Sequence, residues 1–81
     1  IVVVDNLHPQ IHPLQERPAA LPLAADLRRF DVCDGQAWAA LLREVQPRSI
    51  VHLAADTGTG QSLDLPTRHT HTNVTGTACM L

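Results

Sequence analysis

The chain has 81 residues, of which 44% are hydrophobic and 17% charged, and this length allows at most one small domain. Its net charge is −2 and its cations are scattered arginines, which argues against a nucleic-acid partner because phosphates are neutralised by clustered cations. The longest apolar run, Ile1–Val4, is far shorter than the roughly 20 residues of a membrane-spanning helix, so no membrane partner is predicted. Two distant cysteines, Cys33 and Cys79, are expected to be reduced thiols in a cytoplasmic protein.

The chain opens with a β-branched run, Ile1–Val4, which is typical of a strand buried between helix layers and which ends at Asp5. Residues 6–25 contain repeated prolines that prevent a continuous helix, so this stretch is predicted to be a long surface loop. A second short strand is predicted over Leu27–Val32.

Asp34 is a good N-cap for a helix over Gly35–Val45, and Pro47 ends that helix. Ser49–Ala55 is predicted to be a third strand, followed by a loop over 56–64. A final helix is predicted from Pro66 to the end of the chain, with Asp64 or Leu65 as its cap. Strands that alternate with helices predict an α/β fold, a partial Rossmann fold whose parallel sheet of three strands has flanking helices.

In such a sheet, ligands bind beyond the carboxyl ends of the strands, where Asp5, Asp31 and Ala54–Ala55 are predicted to lie. An acidic side chain there can accept hydrogen bonds from the ribose hydroxyls of an adenosine and would repel a 2′-phosphate, which favours NAD over NADP. The alternative that Asp5 only opens a turn with Asn6 remains open on position alone.

Other possible sites are weaker. The glycines of the 57–60 loop precede a helix and could hold a phosphate, but no Walker or dinucleotide fingerprint is present. The histidines do not form convergent pairs, so no metal site is predicted. Asp56, Ser62 and a histidine could suggest a hydrolytic triad, but no nucleophile elbow surrounds Ser62.

The ordered series of motifs resembles the extended short-chain dehydrogenase/reductase family, in its NAD-dependent epimerase/dehydratase group that acts on nucleotide sugars. Five segments carry the resemblance: Val2–Leu7, Asp31–Asp34, Ile50–Ala55, Ser62 and Asn73–Thr77. The 5–12 and 57–62 stretches are most similar to sugar-nucleotide 4-epimerases of the dTDP-rhamnose type.

The resemblance implies three groups of residues around NAD and a nucleotide-sugar substrate. Those on the adenosine side are Asp5, Asn6 and Leu7 around the ribose, with Asp31 and Val32 framing the adenine. Those near the pyrophosphate, the nicotinamide ribose and the active-site helix are Leu53, Ala54, Ala55, Thr57 and Asn73. Those that would face the sugar are Gly58 and Ser62.

The family's glycine-rich turn would lie upstream of Ile1, and its catalytic Tyr-x-x-x-Lys downstream of Leu81; the chain contains neither Tyr nor Lys. Residues 1–81 are therefore expected to be an internal fragment that lines the cofactor without catalytic residues, from a cytoplasmic, homodimeric parent enzyme. The alternatives are a truncated, non-catalytic nucleotide-binding or scaffold domain, and a related reductase of the same family.

Overall fold

The computed structural model describes all 81 residues, and they divide into two compact units, residues 1–31 and residues 32–81. The first unit contains the strands β1 (Val2–Asp5) and β2 (Asp26–Arg29). The second contains the helices α1 (Gly35–Val45), α2 (Thr59–Asp64), α3 (Pro66–Thr70) and α4 (Gly76–Met80), with a π-helical segment at His71–Thr75. None of these helices has the length and apolar character needed to cross a membrane.

In the first unit, β1 and β2 pair in parallel, with Val2 opposite Asp26 and Asp5 opposite Arg29. β2 is shorter than the Leu27–Val32 strand predicted from sequence. The reason lies in β1, which leaves the sheet after Asp5, where Leu7 adopts a left-handed backbone with φ of 54°. Residues beyond Arg29 consequently have no strand beside them, and the ladder ends.

The connection between the two strands contains turns and no helix or strand, as the prolines predicted. Backbone bonds from Leu21 to Pro18 and from Ala25 to Pro22 close two of these turns. The guanidinium of Arg17 donates to the carbonyls of Pro22 and Ala25 at 2.6 and 2.9 Å and so holds the end of the loop together.

The second unit is built around α1. Asp34 is its N-cap as predicted, and its carboxylate accepts hydrogen bonds from the backbone N–H groups of Gln36 and Ala37. The helix ends at Val45, followed by Gln46 in a left-handed conformation. Trp38 and Leu41 are buried, and the indole N–H of Trp38 donates to the carbonyl of Val32 at 2.9 Å.

The final helical region begins at Pro66 with Leu65 as its cap, as predicted, and continues to Met80 through the π-helical segment. There Gly76 bonds to the carbonyl of His71, one residue farther back than in an α-helix. Gly76 also lies close to Val32, because a Cβ at position 76 would lie 2.7 Å from Cγ2 of Val32. α2 was not predicted, since its glycines indicated a loop.

The prediction of a third strand over Ser49–Ala55 is wrong, because the sheet has two strands and residues 50–58 have no regular secondary structure. A strand exists only where a neighbouring strand accepts and donates its backbone hydrogen bonds. In the doubly wound order 3-2-1-4, the strand beside the fourth is the first. The resemblance assigns β1, β2 and Ser49–Ala55 to positions two, three and four. No segment of this chain corresponds to position one, so Ser49–Ala55 has no ladder to join.

Candidate functional site

The carboxyl end of β1 is a turn closed by side chains. Oδ1 of Asp5 accepts the backbone N–H of Leu7 at 2.7 Å, and Oδ1 of Asn6 accepts that of His8 at 3.0 Å. These two consecutive Asx turns reverse the chain and bring Leu7 into the interior, where only 3% of it is exposed. The turn fixes the direction of the Asp5 carboxylate and leaves 43% of that side chain exposed.

The second oxygen of the Asp5 carboxylate is not engaged by the turn. Its neighbour is Nε2 of His12, at 3.8 Å from Oδ2. His12 is held in place by its own backbone N–H, which donates to the carbonyl of His8 at 2.8 Å. Asp5 therefore both opens a turn and presents a carboxylate oxygen, so the two interpretations of this residue are compatible.

The same unit brings a second predicted residue to this end of the sheet. The amide of Asn6 donates to Oδ2 of Asp31 at 3.2 Å, across 25 residues of sequence. Asp5 and Leu7 also line a mostly apolar cleft of about 310 Å³, whose other lining residues are Val3, Pro18, Ala20, Leu21 and Leu27. Three of the four predicted residues of this unit, Asp5, Asn6 and Leu7, are thus consecutive on one turn, and the fourth, Asp31, is bonded to it.

In the second unit, most of the predicted residues lie on the irregular segment 50–58 and on the helices that follow it. Leu53, Ala54, Ala55 and Thr57 are exposed, with 86% of Leu53 accessible. Val32 is instead buried against α4 at Gly76. Gly58 is the N-cap of α2, and its carbonyl accepts the backbone N–H of Ser62 at 2.8 Å, so the two predicted sugar-facing residues share one helical turn.

Asn73, predicted on the active-site helix, holds the segment 50–58 through its side chain. Its amide oxygen accepts the backbone N–H of Asp56 at 2.8 Å, and its amide nitrogen donates to the backbone carbonyl of Asp56 at 2.9 Å. This pair of bonds imitates the pairing of one residue with a neighbouring strand. A second attachment joins Nε2 of His52 to the hydroxyl of Thr77 at 3.0 Å.

The side chain of Asp56 forms a salt bridge that the sequence did not predict. Nε of Arg68 donates to Oδ2 at 2.8 Å, and a terminal nitrogen of Arg68 donates to Oδ1 at 3.0 Å. The hydroxyl of Thr72, one turn farther along the helix, donates to Oδ2 at 3.3 Å. The signal that could have revealed this cluster is the i, i+4 spacing of Arg68 and Thr72 on one helical face that follows an acidic loop residue.

The pKa of Asp56 reflects these contacts. Burial by itself raises the pKa of the carboxyl, but the hydrogen bonds and positive charge of Arg68 more than offset it. Smaller contributions come from the hydroxyl of Thr72 and the charge of His69, and the net result is a pKa below the ordinary value. Asp56 is therefore ionised at neutral pH and is not suited to proton transfer there.

These contacts also remove the hydrolytic triad as an interpretation. The hydroxyl of Ser62 donates to the carbonyl of Thr59 at 2.7 Å, within its own helix, and Asp56 is bound to Arg68 rather than to a histidine. No three side chains of His, Cys, Asp or Glu converge in a way that would hold a metal ion. Cys33 and Cys79 are not joined by a disulfide bond.

A parallel strand pair with acidic and amide side chains at its carboxyl end, followed by helices, is the arrangement of a Rossmann-type nucleotide-binding domain. The model of the GDP-mannose 4,6 dehydratase family matches residues 4–81. The chain belongs to this family of NAD-dependent epimerases and dehydratases, which confirms the resemblance identified from its motifs.

Two characterised relatives are similar in sequence. The dTDP-L-rhamnose 4-epimerase of Burkholderia thailandensis is 58% identical over 76 residues, covering 94% of this chain and 21% of the relative. The dTDP-glucose 4,6-dehydratase 1 of Escherichia coli is 35% identical over 51 residues, covering 63% of this chain and 14% of the relative. The chain thus spans about a fifth or less of the length of these enzymes.

The fold is also that of a solved structure. The UDP-glucose 4-epimerase from Brucella ovis, in complex with NAD, matches with a TM-score of 0.74 at 24% sequence identity. The match covers 98% of this chain and 22% of the epimerase. This likeness confirms the Rossmann-type fold for the chain.

Proposed function

We propose that this chain forms the adenosine-binding and nicotinamide-ribose side of the NAD site in an NAD-dependent nucleotide-sugar epimerase or dehydratase. The observation that carries the proposal is the turn at the end of β1. It fixes the Asp5 carboxylate with one oxygen bonded to Leu7 and the other 3.8 Å from Nε2 of His12, and it holds Asp31 beside it through Asn6.

The chemistry of this turn fits an adenosine ribose. A carboxylate with a fixed direction can accept hydrogen bonds from both ribose hydroxyls, and its charge opposes a 2′-phosphate. Asp31 supplies a second acceptor that suits the exocyclic amine of adenine, with Val32 next to it in sequence. These residue types favour NAD over NADP.

The other half of the proposed site is the segment that contains Leu53, Ala54, Ala55 and Thr57. Alanine side chains allow a ribose or a flat ring to approach the backbone closely, and these alanines are exposed. Asn73 fixes the carboxyl end of the segment by its two bonds to Asp56. Gly58 and Ser62, on the first turn of α2, are proposed to face the sugar.

For the whole protein, we propose oxidation of a nucleotide sugar by hydride transfer to NAD, in a homodimeric enzyme. The 58% identity to a dTDP-L-rhamnose 4-epimerase supports a dTDP-sugar as substrate. The family's catalytic Tyr and Lys are not among these 81 residues, so the chain is proposed to line the cofactor and not to supply the proton-transfer groups. The isolated 81 residues are expected to bind NAD poorly and to have no turnover.

The test is cofactor binding by the full-length protein, measured by calorimetry with NAD and with NADP. Asp5→Ala is expected to lower the affinity for NAD by about tenfold to a hundredfold, because each hydrogen bond to a charged group is worth about 1.5–3 kcal/mol. The same change is expected to narrow the preference for NAD over NADP, because the repulsion of the 2′-phosphate is lost.

Asp26→Ala is the matched control, because Asp26 is a carboxylate at the opposite end of the same sheet, opposite Val2. Its salt bridge with Arg28 is exposed, so its loss should leave both affinities within about twofold. If Asp5→Ala leaves the preference for NAD over NADP unchanged, Asp5 does not bind the adenosine ribose. A wild-type protein that binds neither cofactor would overturn the proposed function as a whole and favour a scaffold role.

A further inference from the structure

We infer that Asp56 and Arg68 are positioning residues for the nicotinamide half of the cofactor site, an inference that rests on the proposed function. They fix the carboxyl end of the segment 50–58 on the helix that carries Asn73. Neither residue is among those that the family resemblance assigned to NAD or to the sugar.

Arg68 and Asp56 form a bidentate salt bridge. Two nitrogens of one guanidinium reach the two oxygens of one carboxylate at 2.8 and 3.0 Å, an arrangement that fixes the carboxylate's orientation as well as its position. Only 19% of the Asp56 side chain is exposed, against 38% for Arg68, so Asp56 lies on the inner side of the pair. Thr72 adds a third hydrogen bond to the same carboxylate.

The backbone of the same residue is fixed independently. Asn73 holds both the N–H and the carbonyl of Asp56, so every polar group of this residue has a partner on the helix 66–80. Asp56 stands between Ala55 and Thr57, both exposed and both proposed to line the nicotinamide ribose. A segment without a strand ladder depends on such side-chain attachments for its position.

This arrangement predicts an effect on one part of the ligand only. Without the two hydrogen bonds from Arg68, the Asp56 carboxylate keeps only its bond to Thr72, and the backbone of Asp56 is held by Asn73 alone. The neighbouring residues Ala55 and Thr57 then gain freedom, which binding must restrict. The adenosine half of NAD is proposed to contact Asp5 and Asp31 in the other unit. NAD affinity should therefore fall, while affinity for AMP, which contains only the adenosine half, should not.

The experiment uses the full-length protein and measures dissociation constants for NAD and for AMP by calorimetry. Arg68→Ala is expected to raise the dissociation constant for NAD on the order of tenfold, which corresponds to about 1.4 kcal/mol. Its dissociation constant for AMP should stay within about twofold of the wild-type value. Arg68→Lys keeps the positive charge but lacks the guanidinium that donates two hydrogen bonds to one carboxylate, so its NAD affinity should lie between those of Arg68→Ala and wild type. Arg48→Ala, which removes an exposed arginine outside the helices, is the matched control and should change neither constant.

Asp56→Asn and the double variant Asp56→Asn with Arg68→Ala complete the test. If the two side chains act as one unit, their effects should not add. The double variant should then have the same NAD affinity as whichever single variant binds NAD less tightly. Should Arg68→Ala fail to fold, Arg68→Lys and Asp56→Asn, which keep most of the packing, still report on the pair.

Two results would overturn the inference while leaving the proposed function intact: NAD affinity unchanged in the Arg68 and Asp56 variants, or NAD and AMP weakened by the same factor. The second result would mean a general loss of structure. Failure of the wild-type protein to bind NAD would instead overturn the proposed function, so the two failures are distinguishable.

Discussion

Gly76 offers a direct test of the packing in the second unit, because a single added methyl group has two opposing effects there. Alanine is favoured over glycine inside a helix by about 1 kcal/mol. A Cβ at residue 76, however, would lie 2.7 Å from Cγ2 and 3.4 Å from Cβ of Val32, and 3.5 Å from the sulfur of Cys33. The first of these distances requires something to move.

Val32 cannot move at low cost. It is buried, and its β-branched side chain has few alternative rotamers. Overpacking of this kind costs about 1–3 kcal/mol, which exceeds the gain in helix propensity. We therefore expect Gly76→Ala to lower the free energy of unfolding by roughly 1 kcal/mol, measured by urea unfolding of the full-length protein.

The control is the same substitution at Gly60, which lies in α2 with no atom within 4 Å of the added methyl. Gly60→Ala should be neutral or stabilising by up to about 1 kcal/mol. A second comparison replaces Val32 with Ala, which should make Gly76→Ala better tolerated by removing the atom it meets. The reasoning is refuted if Gly76→Ala stabilises the protein as much as Gly60→Ala does.

Two further predictions concern polar groups in the same unit. Asp34→Ala removes the carboxylate that accepts hydrogen bonds from the N–H groups of Gln36 and Ala37, and it is expected to reduce the free energy of unfolding by about 1 kcal/mol. Asp34→Asn should retain most of this stability, because asparagine is also a good N-cap residue. The second concerns pH. Because the folded-state pKa of Asp56 is lowered, its contribution should be complete above the unfolded pKa of about 4 and should disappear as the pH falls through the folded value. The stability difference between wild type and Asp56→Asn should therefore be constant from pH 7 to about 5 and shrink in more acidic buffer; a difference that grows on acidification would contradict the sign.

The parts of the fold that the sequence predicted well are those that depend on nearby residues. α1 was predicted with its observed bounds because Asp34 supplies the cap and the apolar spacing supplies the face, both within one short stretch. The loop 6–25 followed from the local effect of proline. At the end of β1, the turn at Asp5 was visible in the sequence, but the bond between Asn6 and Asp31 depends on how two strands pair.

Most of the features that the sequence did not predict correctly depend on contacts between residues that are distant in the sequence. Ser49–Ala55 has the composition of a strand, but strand formation requires a partner that composition cannot supply. The salt bridge between Asp56 and Arg68 joins residues 12 apart and depends on the path of the intervening chain. α2 was missed for a different reason: glycines at 58 and 60 indicated a loop, yet Gly58 only caps the helix, and the Ser62 hydroxyl bonds back within it.

The open backbone of Ile50–Leu53 has a consequence for handling the protein. Val51 and Leu53 are 81% and 86% exposed, in an irregular stretch of β-prone residues that pairs with no strand. Such a stretch can template another copy of itself, and apolar side chains strengthen the resulting stack. Solutions of the 81 residues alone should thus form intermolecular sheet as concentration rises, and a lysine in place of Val51 should slow that aggregation.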